Sequence, residues 1–256
     1  MFHRARLLLP ALVLASLHAG AQDLPEPVAS GPQLAWVAGD LPPFAWRASG
    51  VPQGFAHELA QQMAQQIGRP GEVTYYPWAR AVRMVERSDH LGIFPLARTP
   101  DREKRFQWLA PLMTVRYTLV TLASDHRLSL AELRPLRVGV LRGSPIVRKL
   151  QAEQFTKIVE GTDYKDLLRM LIGGNLDVIY AGAPMLGAAM DAYGYARSRF
   201  TTHQTLGEAE LYMAASAGLP AEEARRWQRA YQQLEKDGSV ERLRRRYGLS
   251  RNGNDN

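Results

Sequence analysis

The stretch LGIFPLARTPDREKRFQWLAP, residues 91–111, carries the features that decide the fold. It opens with the apolar run Leu91–Leu96, which predicts a buried strand. A polar loop with Arg98, Thr99 and Arg102 follows, and the run Phe106–Pro111 closes the stretch. Open α/β sheets bind ligands outside the carboxyl ends of their strands, and a guanidinium suits a carboxylate. Arg102 is therefore the first candidate for a ligand contact, although a solvated face of charged loop residues is an equally common arrangement.

On both sides of this stretch, the hydrophobic pattern alternates between strands and helices. Strands are predicted over 33–38, 73–76, 116–123, 136–141, 157–160 and 176–181, with weaker ones over 200–205 and 210–214. Helices are predicted over 54–68, 79–87, 145–154, 163–173, 184–192, 221–236 and 240–247. This alternation is typical of α/β proteins with mainly parallel sheets flanked by helices.

The β-α-β series starts twice, which predicts two α/β lobes, the second inserted into the first. Residues 33–116 plus 214–248 form the predicted first lobe, and 117–213 form the second. Two strand-like crossings would act as a hinge, and the cleft between such lobes is a common small-ligand site.

The N-terminal residues have the pattern of a signal peptide. A basic start at 1–6 precedes an apolar run at 7–17 and the small-x-small sequence Ala19-Gly20-Ala21. We expect residues 1–21 to be removed by cleavage near Ala21, residues 22–32 to form a flexible lead-in, and 249–256 to be a disordered tail. The expected product is an exported periplasmic protein that does not span the membrane.

Composition narrows the class of protein further. Cysteine is absent, which excludes disulfides, a thiol nucleophile, thiolate zinc sites and iron–sulfur clusters. The formal charge of +7 falls to +5 when the two leader arginines, Arg4 and Arg6, are removed. This excess favours anionic partners, but the basic residues are scattered, so nucleic acid is not expected as a partner.

Several short motifs resemble one family when taken in order. They are Pro42-Pro43-Phe44, Gly54-Phe55, Thr99-Pro100-Asp101-Arg102, Arg137-Val138-Gly139-Val140 with Gly143-Ser144, Asn175-Leu176-Asp177-Val178, and Asp237-Gly238-Ser239-Val240. The chain resembles solute-binding proteins of family 3, the amino-acid type of ABC-importer binding protein with the type II periplasmic binding protein fold. The resemblance covers nearly all of the mature chain. It implies a monomer that captures a small anionic or amino-acid-like ligand for a membrane ABC permease, without chemistry and without a cofactor.

The resemblance also implies a type of site. Arg102, the arginine of the Thr-x-x-Arg motif, would clamp the ligand's carboxylate, with Thr99 in the same motif. Trp78 would stack on the ligand, and Gly143 and Ser144 would add backbone contacts. The last role has an independent physical basis, because Ser144 at a helix N-terminus would offer free N–H groups to an anion.

Two positions depart from the family pattern. Gly182 stands where amino-acid binders usually carry the aspartate that pairs with the ligand's ammonium, and Ala97 stands where a hydroxyl is common. Arg80, Arg98 and Arg142 could add positive charge near the cleft. These features favour a small organic anion, an aromatic one among the candidates, over a standard α-amino acid.

Three aromatic residues are ambiguous from sequence. Trp78 is either a stacking platform or a core residue, and the adjacent Pro77 favours the first. Phe44 could line the cleft or plug a lobe, and Tyr180 could line the cleft or belong to a core strand.

Other classes of function lack their motifs. The six histidines are not at metal-ligand spacing, and neither a Gly-x-Ser-x-Gly elbow nor a phosphate-binding glycine loop occurs. Two alternatives share the predicted scaffold: a dehydratase-like enzyme, and a sensory module for a membrane kinase. An enzyme would alter its ligand, which a binder would not, and a pull-down would separate sensing from transport.

Overall fold

The computed structural model of this protein describes residues 33–123 and 127–249 of the 256 in the chain. Its strands are β1 Ala35–Ala38, β2 Trp46–Ala48, β3 Val51–Gln53, β4 Val73–Tyr75, β5 Leu91–Ala97, β6 Phe106–Leu122, β7 Val138–Leu141, β8 Ile158–Gly161, β9 Val178–Gly182 and β10 Phe200–Ser216. Its α-helices are α1 Phe55–Gln66, α2 Trp78–Glu86, α3 Leu130–Leu133, α4 Val147–Ala152, α5 Tyr164–Ile172, α6 Ala183–Ala192, α7 Ala221–Lys236 and α8 Ser239–Arg246. The predicted leader, lead-in and residues 250–256 lie outside the described residues. Leu249, assigned to the tail by sequence, is buried.

Eight of these strands form one sheet in the order β4-β1-β5-β10-β6-β9-β7-β8. At one end β1 pairs in parallel with β4 and β5, and at the other β7 pairs in parallel with β8 and β9. Helix α2 packs on the first group, and α1, α7 and α8 pack on one another; these elements form the first lobe. Helices α5 and α6 pack on the second group and, together with α4, form the second lobe. The α/β, two-lobed, mainly parallel architecture expected from sequence is confirmed.

Two long antiparallel strands, β6 and β10, connect the lobes. They pair with each other along their length: Phe106 lies opposite Ser216 at one end, and Leu122 lies opposite Phe200 at the other. Strand β5 joins them at residues 211–215 of β10, whereas β9 joins them at 117–120 of β6. The predicted lobe boundaries at 116/117 and 213/214 stay predictions, because each falls inside one of these continuous strands.

Aromatic packing fills the first lobe. Trp36 on β1 lies with its ring centroid 5.3 Å from that of Phe94 and 5.2 Å from that of Trp227. Trp36 and Trp227 are almost fully buried. Burying side chains of this size stabilises the lobe through the hydrophobic effect, which offsets the absence of disulfides.

A buried ion pair joins the first and seventh helices. Arg69, just after α1, donates from Nε and Nη2 to the two carboxylate oxygens of Glu223 at 3.1 and 2.9 Å. Trp227 Nε1 donates to the same carboxylate at 3.0 Å. The exposed fractions of the two charged side chains are 2% and 7%, so this pair lies in the low-dielectric interior.

The sequence missed or misplaced several elements. The hairpin β2–β3 was not predicted, and the two weak strands at 200–205 and 210–214 are parts of the single strand β10. The crossing strand predicted over 116–123 begins ten residues earlier, at Phe106. Throughout 33–123 and 127–249, each helix is too short or too polar to cross a membrane.

Candidate functional site

Arg102 occupies the junction between the lobes. It follows β5 in the first lobe, and its amide donates to the carbonyl of Thr99 at 2.9 Å, which closes a turn. Its Nη1 donates to the carbonyl of Ala97 at 3.1 Å, and its Nη2 donates to the carbonyl of Gly143, in the second lobe, at 3.1 Å. The side chain is buried. The guanidinium therefore spans the interface through two neutral acceptors, which use two of its five N–H donors.

The charge on Arg102 has no carboxylate partner among the described residues. Burial lowers the pKa of Arg102, an effect that nearby Asp101 and Tyr117 oppose. An arginine nevertheless remains protonated at neutral pH. A buried cation satisfied only by carbonyls is a strong attractor for an anion, because burial removes the water that would otherwise screen it.

The loop that meets Arg102 differs from the prediction. The sequence predicted a helix over 145–154 with Ser144 as its N-cap, but α4 begins at Val147, after an N-cap residue without a side-chain cap. The Ser144 amide instead donates to the carbonyl of Leu141 at 3.0 Å. The predicted role of Ser144 as an N-cap is therefore wrong, because Ile146 is the N-cap residue of α4. The free N–H groups expected for an anion are also missing at these two residues, because a turn after β7 uses the Ser144 N–H and Pro145 has none.

Gly143 lets the two lobes approach closely. Its φ of 79° lies in the left-handed region, and a Cβ at this position would lie 3.0 Å from both Cα and Cβ of Ala79 on α2. A second contact between the lobes joins Arg148 Nη2 to Asp101 Oδ2 at 3.6 Å. Backbone, hydrogen-bonded and ionic contacts thus hold the lobes together beside Arg102.

Behind Arg102 lies a small space, the inner cavity, of ≈ 20 Å³. It is lined by both lobes and by the connecting strands, namely by Leu41, Trp78, Pro95, Ala97, Arg102, Tyr117, Leu141, Ser144, Pro145, Tyr164, Met185 and Leu211. This volume is about that of one water molecule, so an organic ligand would enter only if the lobes move apart or side chains rearrange.

Two tyrosine hydroxyls give the inner cavity polar groups besides Arg102. Burial raises the pKa of Tyr117 to about 12, although nearby Arg102 opposes the shift. Burial also raises the pKa of Tyr164, whose hydroxyl approaches the sulfur of Met185 at 3.8 Å. Both phenols stay protonated at neutral pH. The Tyr164 hydroxyl donates its hydrogen bond to Met185, whereas the Tyr117 hydroxyl can donate one to an acceptor in the cavity.

On the outer side of Arg102 lies a larger space, the outer cavity, of ≈ 540 Å³. It is lined by α2 and the loop after β5 on one side, and by the loop after β7, α4 and β8 on the other. Arg102, Ser144 and Pro145 line both cavities and so form the boundary between them.

Five of the nine site residues suggested by sequence lie at these cavities or shape them. Arg102, Ser144, Gly143 and Trp78 line one or both cavities. Trp78 is the first residue of α2 and is buried against Gly39. At Gly182 a Cβ would lie 2.3 Å from Cε of Met185. Met185 therefore fills the space beside the position where the family aspartate would stand.

The other four lie elsewhere among the described residues. Phe44 is fully buried against Phe55, and its carbonyl accepts from the first turn of α1. Tyr180 packs against Tyr117 inside the second lobe, while Thr99 donates to Asp101 at 2.9 Å and orders the loop. Arg80 lies outside both linings, with its guanidinium 5.0 Å from the ring centroid of Tyr76.

Of the two further cations proposed from sequence, one lines a cavity and the other does not. Arg142 lines the outer cavity, whereas Arg98 pairs with Glu103 at 2.8 Å and lies over Trp108 and Tyr212. Sequence reasoning missed Tyr117, Tyr164 and Met185 in the inner cavity. It also missed Arg83, Arg105 and Arg148 in the outer one. No group of three potential ligands that could hold a metal ion occurs in the described part of the chain.

Comparison with known proteins identifies the family. The sequence model of "Bacterial extracellular solute-binding proteins, family 3" matches residues 35–250. The chain belongs to this family. The solute-binding protein has no match among curated proteins.

Solved structures share the fold of this solute-binding protein. An ABC uptake transporter substrate-binding protein from Streptococcus pneumoniae with bound histidine is similar with a TM-score of 0.76 and 14% identity, covering 86% of this chain and 94% of that one. A mutant of ArgBP from T. maritima is similar with a TM-score of 0.74 and 17% identity, covering 84% of this chain and 95% of that one. A histidine kinase sensor domain with similarity to periplasmic binding proteins has a TM-score of 0.73 and 19% identity, covering 84% of this chain and 96% of that one. At these identities the likeness concerns the fold alone.

Proposed function

We propose that this solute-binding protein captures a small organic anion between its lobes in the periplasm and delivers it unaltered to a membrane ABC permease. The observation that carries the proposal is the buried guanidinium of Arg102, whose acceptors among the residues that the structure describes are only the carbonyls of Ala97 and Gly143. A carboxylate would supply the charge that these carbonyls lack, in bidentate geometry. Because Arg102 contacts both lobes, the same contact would favour the closed arrangement.

The proposed ligand lacks an α-ammonium group. The described lining of the inner cavity contains no carboxylate, and Met185 fills the space beside Gly182. A buried ammonium would therefore lose its hydration without gaining a counter-ion, which is costly. Trp78, Tyr117 and Leu41 offer an apolar and aromatic surface instead, which suits the body of an organic acid.

We propose binding without chemistry. Catalysis requires a positioned acid or base, and the inner cavity is lined in the described chain by neither carboxylate nor imidazole. The remaining elements of the proposal are the signal peptide at 1–21, the lobe boundaries at 116/117 and 213/214, and a monomeric state.

A thermal-shift screen tests the ligand class. Its two arms are the standard α-amino acids and carboxylic acids that lack an amine, aliphatic and aromatic. A ligand at 100 times its Kd stabilises the folded state by about 2.7 kcal/mol, which corresponds to about 5–10 °C in Tm for a chain of this size. We expect shifts of this order from members of the second arm. Stabilisation by amino acids, and none by acids without an amine, would reject the proposal.

A further inference from the structure

The outer cavity is lined by more positive than negative side chains. Its lining contains five arginines and three carboxylates; the arginines are Arg83, Arg102, Arg105, Arg142 and Arg148. The carboxylates are Glu86, Asp101 and Glu160. Its volume of ≈ 540 Å³ falls within the range of about 300–1,000 Å³ that is usual for small-molecule sites.

Each of the three carboxylates already has an arginine partner. Arg105 pairs with Glu86 and approaches Asp101 at 3.7 Å, and Arg142 pairs with Glu160 at 3.3 Å. The pKa of Asp101 is lowered, because the hydrogen bond from Thr99 and the nearby Arg148 outweigh the opposing effect of burial. Each carboxylate of this lining is thus paired with an arginine of the same lining.

Two arginines have no acidic partner within the described chain. Arg83 forms no ion pair there, and Arg102 donates only to carbonyls. Five positive and three negative charges leave a formal excess of two positive charges. In a cleft partly shielded from water, this excess attracts anions more strongly than the same charges would on an open surface.

The cations come from both lobes. Arg83, Arg102 and Arg105 belong to the first lobe, whereas Arg142 and Arg148 belong to the second. An anion in the outer cavity would therefore contact both lobes at once. Since Arg102 lines both cavities, a molecule anchored by one anionic group at Arg102 could extend a second one into the outer cavity. The first group compensates Arg102, so the second group would meet the remaining formal excess of one positive charge, which Arg83 carries.

We propose that the outer cavity is a second anion site and that the ligand carries at least two negative groups. The second group is a carboxylate or a phosphate-type group, because arginine forks bind both. This inference rests on the proposed function, since it extends the ligand that Arg102 anchors. It narrows the ligand class from an organic acid to a dianion or polyanion.

Calorimetric titration with matched probes tests the inference. The probes are butyrate, with one charge, succinate, with a second carboxylate on the same chain length, and phosphonopropionate, with a carboxylate and a phosphonate. We expect the two dianions to bind at least about tenfold more tightly than butyrate, as is usual for one additional charge-assisted hydrogen bond. The tighter of the two dianions identifies the type of second group.

Two variants on one helix connect this preference to the cavity. Arg83→Gln removes an unpaired cation from the lining, so the preference for dianions should fall to within about threefold of parity. Arg80→Gln is the control, because Arg80 lies on the same helix, is exposed and contacts Tyr76 outside the cavity. It should leave the preference unchanged, and neither exposed substitution should alter the urea midpoint appreciably.

The outcomes separate the two levels of the argument. Equal affinity for butyrate and the dianions overturns the second anion site and leaves the anchor at Arg102 standing. The same conclusion follows if the preference for dianions survives Arg83→Gln. If no carboxylate binds to the folded protein, both the second site and the proposed function are rejected.

Discussion

Replacing Glu223 by glutamine should destabilise the first lobe severely. The variant keeps the shape of the side chain, but it sets an NH₂ group against the donors of Arg69 and leaves that buried guanidinium without a counter-ion. Removing one partner of a buried ion pair costs about 3–5 kcal/mol. For a chain of this size, each kcal/mol lowers Tm by about 2–4 °C, so we expect a fall of about 6–20 °C.

Urea unfolding followed by tryptophan fluorescence measures this loss. The control is Glu222→Gln on the same helix turn, because Glu222 is exposed and pairs with Arg226 at 2.7 Å. An exposed pair at this spacing contributes about 0.5 kcal/mol or less, so the control should change stability little.

The pH dependence gives a second signature of the same pair. Burial opposes ionisation of Glu223, but the hydrogen bonds from Arg69 and Trp227 outweigh it and lower the pKa of Glu223 below 4.5. A lowered pKa in the folded state means that the stabilisation is present above about pH 4.5 and is lost as pH falls through the folded value. The difference in the free energy of unfolding between wild type and Glu223→Gln should therefore become smaller in acid. A loss equal to that of Glu222→Gln, or a difference independent of pH, would refute this reasoning.

Two further substitutions test the close contact of the lobes and a helix cap. Gly143→Ala should cost about 1–2 kcal/mol in left-handed strain, and the close contact with Ala79 should add to this loss in urea unfolding. Gly174→Ala, with φ 72° and no atom within 4 Å, should show the strain alone and therefore a smaller loss. Asp163→Ala removes the side chain that accepts from the Asp166 amide at 2.7 Å and should cost about 1 kcal/mol in urea unfolding, whereas Asp163→Asn should retain most of the cap.

Local hydrophobic periodicity was sufficient for most of the fold. Helix α7 begins and ends at the predicted residues, Ala221–Lys236, because its apolar stripe and the interrupting Asp237-Gly238 are both local signals. The parallel groups of strands follow from the same alternation. The hairpin β2–β3 carries no such signal, since its strands have three residues each and one contains Pro52.

The candidate site was less predictable, because it depends on tertiary contacts. The predicted start of α4 was too early, because a turn, closed by the bond from the Ser144 amide to the Leu141 carbonyl, comes between β7 and the helix. Tyr117 and Met185 reach the inner cavity from separate elements. From sequence Arg83 is one of several helical arginines, and only the position of the second lobe makes it part of the outer cavity. A motif indicated Arg102, whereas the surrounding groups come together only through the fold.

The most direct test of the role of Arg102 is mass spectrometry of the small molecules released from gently purified protein. Wild type is compared with Arg102→Gln, with urea unfolding of both proteins as the check that the variant is folded. We predict that an organic acid is released from wild type and is absent from folded Arg102→Gln, because the buried guanidinium supplies its counter-charge. Release of the same acid from both proteins, or of a molecule without an anionic group from wild type, would contradict the account.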